Sequence, residues 1–303
     1  MDNRIRGWLA LAFGGVIALV MGGCSSLPDG MDGDLTNQWS RLPEPVEFVP
    51  EAGVCHPDPY RRTAPLAEYQ PVECDQPHFV ETVYVGEFTG RAADRDTPPG
   101  ARSSHVRRAY RECEKQVKKF LGADFRYGRL WLGVAVPSEE GWQGGARWFR
   151  CDLMELEPGH GDPVRREGSL AGALTGESDL RLGCYRVSTD DDGAIKEMTA
   201  VPCSEPHQAE FVGVWRADFD DYPTGGDAEA QVYRGCREQV AEYVDVPVDA
   251  NLPARTGAIA DWMSKRDWGA GDRAFRCYLW LPDGELTESL AGAGVDALPV
   301  RNQ

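Results

Sequence analysis

The sequence predicts an α+β fold built from two tandem disulfide-stapled modules, each a small antiparallel sheet with one packed helix. Three observations predict it. The eight cysteines that follow Cys24 fall into two sets of four, and the first two members of each set are equally far apart. The residues around these cysteines repeat from one set to the other. Each set also contains several strand-like runs and a single helical stripe, the mixture expected of a sheet packed on a helix.

Two sequence motifs recur in register and define the repeat. The second cysteine of each set begins the motif C-x-x-P-H-x-x-E, and the fourth cysteine ends the motif W-x4-R-x-F-R-C. Together they place module one at residues 51–172 and module two at residues 180–295. The motif residues are Cys74, His78, Glu81 and Cys151 in module one, and Cys203, His207, Glu210 and Cys277 in module two.

Hydrophobic periodicity predicts the elements of each module. Runs rich in β-branched and aromatic residues follow the Pro-His motif and surround the last cysteine, which predicts strands there. In module two, residues 184–187 and 198–203 flank a turn-forming Asp-Asp-Asp-Gly run and predict a hairpin, and module one is expected to open in the same way. Apolar residues spaced by three or four positions predict one helix per module. They are Val106, Tyr110, Cys113, Val117, Phe120 and Leu121 in the first, and Val232, Cys236, Val240 and Val244 in the second.

Residues 1–23 are interpreted as the signal peptide of a lipoprotein. Arg4 and Arg6 precede an apolar stretch at residues 8–20, which is shorter than the roughly 20 apolar residues that a membrane span needs. Small residues stand directly before Cys24, and this arrangement resembles a bacterial lipobox, whose cysteine is lipidated and becomes the first residue after cleavage. A plain secretory signal is the alternative interpretation.

The segment after Cys24 and the overall charge bear on location and partners. Residues 24–50 are rich in Asp, Gly and Pro and predict a flexible tether. We therefore expect an extracytoplasmic protein anchored to the outer face of the cell membrane through the lipid on Cys24. With 49 acidic against 32 basic residues, the net charge of −17 disfavours a nucleic-acid partner.

Outside the cytoplasm, eight cysteines in two even sets predict four disulfides. Four cysteines per module permit three pairings, and the sequence alone does not choose among them. Cys113 and Cys236 lie on the helical stripes, and the last cysteine of each module alternates with apolar residues along one strand face. Geometry therefore favours pairing the first cysteine with the second and the third with the fourth. The favoured pairs are Cys55–Cys74, Cys113–Cys151, Cys184–Cys203 and Cys236–Cys277.

The pattern resembles the septum-formation-related domain of exported actinobacterial proteins. Cys203, His207 and Glu210 carry its signature, and Cys236 and Cys277 follow at the positions of its helix and last strand. Module one matches more loosely, through its own Cys-x-x-Pro-His motif. The resemblance implies association with the cell envelope and a link to septum formation in cell division. It carries over no catalytic activity and no active site.

The two His–Glu pairs, His78 with Glu81 and His207 with Glu210, are the candidate site residues. Cys-x3-His spacing followed by Glu is compatible with a metal site, and a His–Glu pair is compatible with acid–base chemistry. Export disfavours a thiolate–zinc site, and no Ser, Thr or Cys nucleophile stands in a recognisable motif beside either pair. We expect a structural role for both pairs, with no metal, no cofactor and no catalytic residue.

The expected function is that of a lipid-anchored, non-enzymatic envelope protein that binds another envelope protein or a cell-wall component. The alternative is an envelope hydrolase that uses His207 and Glu210. The surroundings of the His207 ring discriminate between them. An open cleft on which Glu210 converges favours the hydrolase, whereas a ring packed beneath the first disulfide of module two disfavours it.

Overall fold

The computed structural model describes residues 47–158 and 161–300. Residues 1–46, which contain the predicted signal peptide, Cys24 and most of the predicted tether, lie outside the described residues. The final four residues assigned to the tether, 47–50, lie against module one, where the Phe48 ring packs 4.8 Å from that of Tyr69. Within the described part of the chain, none of the helices combines the length and the apolar character needed to cross a membrane.

Module one is a five-stranded sheet with one long helix on one face. The strand order is β1-β3-β5-β4-β2, and the neighbours are antiparallel except for β2, which runs parallel to β4. The strands are β1 (Val54–His56), β2 (Thr63–Ala64), β3 (Val80–Glu87), β4 (Leu130–Pro137) and β5 (Trp148–Glu155). The helices are α1 (Ser104–Leu121) and the short α2 (Glu139–Gln143).

Helix α1 begins and ends where its sequence provides caps. The Ser103 hydroxyl accepts a hydrogen bond from the Val106 amide at 3.2 Å, and Gly122 follows the last turn with a φ of +88°, a conformation that glycine adopts without strain. The predicted apolar stripe is confirmed, and it packs against Phe149 and Leu153 on one face of the sheet. The sheet face opposite α1 carries Arg150 and Asp152, which alternate with these apolar residues along β5.

Module two repeats this architecture with a more regular sheet. The strand order is β7-β6-β8-β10-β9, with all neighbours antiparallel. The strands are β6 (Cys184–Thr189), β7 (Ile195–Val201), β8 (Ala209–Arg216), β9 (Gly257–Asp261) and β10 (Ala274–Trp280). The helices are α3 (Gly226–Val244), α4 (Leu252–Arg255) and α5 (Lys265–Ala270). The predicted stripe of α3 is fully buried against the sheet.

The two modules differ where the sequence led us to expect similarity. Strands β6 and β7 form the predicted hairpin, whose turn is held by the Asp190 carboxylate accepting from the Asp192 and Ala194 amides. Module one has no such hairpin. Its residues 57–73 form a mostly irregular segment instead, which contains the two-residue strand β2 and a short 3-10 turn. Tyr60 of this segment donates a hydrogen bond to the Val134 carbonyl at 2.7 Å.

Four disulfides, two in each module, connect the cysteines in the pairing that the sequence favoured on geometric grounds. The Cα–Cα distances are 5.1–5.3 Å. Cys113–Cys151 and Cys236–Cys277 tie each long helix to a central strand, and the other two bonds close loops with a sequence separation of 19. Closing loops of this size stabilises the folded state by about 3 kcal/mol each, mainly by restricting the unfolded chain.

A polar interface joins the modules, and it is centred on Arg126. This side chain is only 2% exposed, in a short 3-10 turn after α1. Its guanidinium lies 2.7 Å from Asp272 of module two and 2.7 Å from Glu114 of module one. Tyr110 donates to the same Asp272 carboxylate at 3.1 Å. Because the buried arginine needs carboxylates from both modules, the interface fixes the modules relative to each other.

Further contacts extend this interface towards the sheet of module two. Arg276 of β10 donates to the backbone carbonyls of Arg126, Gly128 and Leu130. The Tyr127 and Phe211 rings meet edge to face at 5.3 Å. Residues from Glu47 onwards accordingly form one compact unit.

Candidate functional site

The Pro-His motif of module two is buried at the start of β8. The His207 ring is 0% exposed, and Nδ1 lies 2.7 Å from the Glu205 carbonyl. Nε2 lies 3.3 Å from the Glu210 carboxylate. Both ring nitrogens thus lie within hydrogen-bonding distance of polar atoms of the motif itself, so the ring is held at two points.

Glu210 connects three parts of module two. Its carboxylate accepts hydrogen bonds from the Leu290 amide at 3.0 Å, the Ser289 hydroxyl at 2.9 Å and the Tyr243 hydroxyl at 2.8 Å. It thereby fastens β8 to helix α3 and to the C-terminal segment. With these donors and His207 around it, the carboxyl group is saturated with hydrogen bonds, as expected of a buried polar group with a structural role.

Module one repeats this arrangement with one difference. His78 is 0% exposed and Nδ1 lies 2.7 Å from the Gln76 carbonyl, but Nε2 has no hydrogen-bond partner among the described residues. Glu81 accepts from Ser169 and Leu170, the counterparts of Ser289 and Leu290. The His78 ring is therefore held by one hydrogen bond where the His207 ring is held by two.

The structure therefore brings the predicted motif residues together, but in the protein core and beside the first disulfide of each module. Sulfur of Cys184 and the donor atoms of His207 and Glu210 lie within 4.8 Å of one another. Cys184 is bonded to Cys203, so its sulfur is not the thiolate that binds metals. This is the burial that the sequence analysis associated with a structural role.

A large groove lies between the modules. Its volume is about 720 Å³. The sheet face of module two opposite α3 supplies Tyr185, Ile259 and Tyr278, and module one supplies Trp131. The Arg126–Asp272 ion pair reaches its wall. Sequence reasoning missed this groove because its walls meet only through the docking of the modules.

A second, smaller cavity lies in module one, on the sheet face opposite α1. A chain of buried hydrogen bonds borders it. His56 Nε2 lies 2.9 Å from the Thr82 hydroxyl, which donates to Asp152 at 2.9 Å. Arg150 donates to the other carboxylate oxygen of Asp152 at 2.9 Å. Of these residues only Arg150 belongs to a motif recognised in the sequence, W-x4-R-x-F-R-C, and none was predicted as a site residue.

These hydrogen-bonded polar residues of module one occupy positions at which module two has an aromatic cluster. Alignment on the cysteines puts His56 at the position of Tyr185, and the strand registers pair Thr82 with Asp152 as they pair Phe211 with Tyr278. In module two, Tyr278 contacts both Tyr185 and Phe211 edge to face. The comparison between modules is the signal that could have identified these polar positions from the sequence.

Burial shifts the pKa values of His56 and Asp152. Desolvation, assisted by the positive charge of Arg150 and by His78, lowers the pKa of His56 to about 3. Desolvation also raises the pKa of Asp152, against the opposing effect of its Arg150 partner. His56 is therefore a neutral ring at physiological pH, suited to accepting a hydrogen bond and not to carrying charge.

The fold and its buried motifs define a class of protein: a tandem α+β unit framed by disulfides, each module carrying a Cys-x-x-Pro-His motif in its core. Residues 52–277 match the family model described as Septum formation, and the chain belongs to that family. No curated protein and no solved structure matches the chain. The four disulfides and this family membership fit an extracytoplasmic location.

Proposed function

We propose that this protein is a lipid-anchored, non-enzymatic binding protein of the cell envelope that acts in septum formation. A lipid on Cys24 attaches it to the outer face of the membrane, and the groove between the modules receives an envelope protein or a cell-wall component. The observation that carries the proposal is the groove itself, since both modules of the duplicated chain contribute to one surface.

The composition of the groove supports binding. Its volume lies in the range of about 300–1,000 Å³ that is typical of ligand sites, which concentrate at domain interfaces. Tyr185, Ile259 and Tyr278 offer an apolar wall, while Arg276 and Asp261 place an ion pair beside it at 3.5 Å. An apolar wall with a few fixed polar groups provides affinity and orientation together.

The state of the motif residues supports a role without catalysis. His207 and Glu210 are buried, and Glu210 is occupied by hydrogen bonds from the segment that it holds in place. Ser264, the one serine that lines the groove in the described part of the chain, donates to Asp267 at 2.6 Å and caps helix α5. Ser264 also accepts a hydrogen bond from the Asp267 amide at 3.1 Å, so its hydroxyl is engaged in capping the helix.

Site-specific crosslinking in living cells tests the groove. A photoreactive phenylalanine is placed at Ile195, a groove residue that is 38% exposed, and at Val248, an exposed residue that does not line the groove. We expect a discrete adduct with an envelope component from position 195 and not from position 248. Identical adducts from both positions, or none from position 195, would contradict the proposal.

A further inference from the structure

The small cavity of module one is built from charged and aromatic side chains and is separate from the groove. Its volume is about 50 Å³, and its walls include His56, Tyr60, Tyr69 and Arg150. About 10–15 Å³ of such space holds one water molecule, so the cavity admits a polar group of a few heavy atoms. None of its lining residues lines the groove.

The hydrogen bonds around His56 determine which ring nitrogen is free to bind a ligand. Thr82 has one hydroxyl proton and donates it to Asp152, so the proton in the His56–Thr82 bond belongs to Nε2 of His56. Nδ1 then keeps its lone pair. The ring is only 8% exposed, and Nδ1 has no hydrogen-bond partner within residues 47–158 and 161–300. It is an acceptor at the cavity without a protein donor.

Among the charged residues around the cavity, one carboxylate has no ion-pair partner in the described part of the chain. Arg150 is paired with Asp152 at 2.8 Å, and Arg61 with Glu68 at 2.7 Å. Asp58 also lines the cavity and forms no ion pair with the described residues. The walls thus offer a lone-pair nitrogen and an unpaired negative charge beside the Tyr60 and Tyr69 rings.

The comparison between modules indicates that packing alone does not require this arrangement. At the same register positions, module two fills the space with Tyr185, Phe211 and Tyr278. A buried polar chain is in general no more stabilising than well-packed apolar residues of similar volume. The polar version in module one is therefore not required by packing, and it leaves a small polar cavity beside His56.

We propose that this cavity binds a primary ammonium group, such as the amine of an amino acid side chain or an amino sugar. One N–H donates to Nδ1 of His56, the positive charge pairs with Asp58, and the tyrosine rings provide a favourable aromatic wall for a cation. This site is distinct from the groove. It gives module one a recognition role whether or not the groove binds a partner.

Nuclear magnetic resonance of the purified protein tests the proposal, with n-butylammonium chloride as the probe. The chain has five histidines, and the Nδ1 signal of His56 is assigned by its loss in His56→Phe. We expect a saturable change of this nitrogen signal with n-butylammonium, and none with n-butanol or sodium chloride at equal concentrations. An equal response to n-butanol would show a site for neutral donors and would overturn the ammonium assignment, as would no response to the amine.

Two variants make the test independent of folding. Asp58→Asn changes an exposed residue, and we expect it to weaken the binding of n-butylammonium by about three- to tenfold, the effect of losing one partly exposed ion pair. Asp75→Asn, an exposed carboxylate outside the cavity, is the matched control and should leave the affinity unchanged. Equal affinities in both variants would contradict the role of Asp58 and the proposed charge recognition.

Discussion

Arg126 of module one and Asp272 of module two form a buried ion pair with a nitrogen–oxygen distance of 2.7 Å. The carboxylates of Asp124 and Glu114 share the same guanidinium, and they also bind Arg216 of module two. Burial works to lower the pKa of Arg126, but the Tyr110 hydroxyl and these carboxylates raise it well above its usual range. The arginine thus stays charged, and two modules encoded as a repeat act as one unit.

Removing one partner of this pair should destabilise the whole protein. Asp272→Ala leaves a buried positive charge short of its partner, and we expect a loss of about 3–5 kcal/mol in the free energy of unfolding, measured with urea. The double variant Arg126→Met with Asp272→Leu should recover part of this loss, because no unpaired charge remains. Arg61→Ala, in an exposed pair, is the control and should cost at most about 1 kcal/mol. A single variant as stable as the wild type would refute the interface role.

The buried histidines should contribute unequally to stability. His207→Ala removes hydrogen bonds to the Glu205 carbonyl and to the Glu210 carboxylate, and we expect a cost of about 1–3 kcal/mol. His78→Ala removes only the bond to the Gln76 carbonyl and should cost less. Melting temperatures measured by calorimetry compare the two variants. If His207→Ala melts like the wild type and instead abolishes crosslinking from the groove, His207 belongs to a functional site and the structural interpretation is wrong.

His56 should make stability depend on pH. Its pKa is about 3 in the folded protein against 6.5 in the unfolded chain, so acid protonates the unfolded chain first. The contribution of a neutral His56 is fully present above pH 6.5 and is lost as the pH falls from 6.5 towards 3. The loss amounts to at most about 1.4 kcal/mol per pH unit. Urea titrations between pH 7 and 4 should show a shallower decline for His56→Phe than for the wild type. Equal slopes would contradict this titration.

The fold could be predicted from the sequence largely because cysteine spacing and apolar periodicity are local signals. The buried residues of α3 between Val232 and Val244 are spaced four positions apart, and Cys277 alternates with Phe275 and Leu279. The nearby sequence alone therefore indicates which face of each element is buried. The loop of residues 57–73 in module one could not be predicted in the same way. Its place is set by tertiary contacts such as that of Tyr60 with Val134, which leave no periodic trace.

The residues of the candidate sites were harder to predict, because contacts between distant parts of the chain bring them together. The Pro-His motif was visible because it occurs twice, and its repetition already suggested a structural staple. Arg126 and Asp272 are far apart in the chain and have no motif, so nothing local predicts their pairing. His56, Thr82 and Asp152 were hidden for another reason, because they lie on three different strands and only the strand register brings them together.

Lipidation at Cys24, which lies outside the described residues, has its own test. Cys24→Ala removes the thiol that would be acylated, so we expect the variant to lose incorporation of labelled fatty acid and to leave the membrane fraction or remain unprocessed. The Cys24→Ala variant is compared with wild-type protein, expressed at the same level, in the same fractionation. Unchanged acyl labelling of the variant would contradict the anchor.

The central claim is that the groove connects this protein to the division septum, and the most direct test is its position in dividing cells. Ile195→Glu places a charge at the groove, and Val248→Glu places one at an exposed aliphatic residue outside it. Exported fluorescent fusions of both variants and of the wild type are imaged, with melting temperatures measured to verify equal folding. We predict that the wild type and Val248→Glu concentrate at septa while Ile195→Glu spreads evenly around the membrane. Equal septal enrichment of all three proteins, or none for the wild type, would contradict the account.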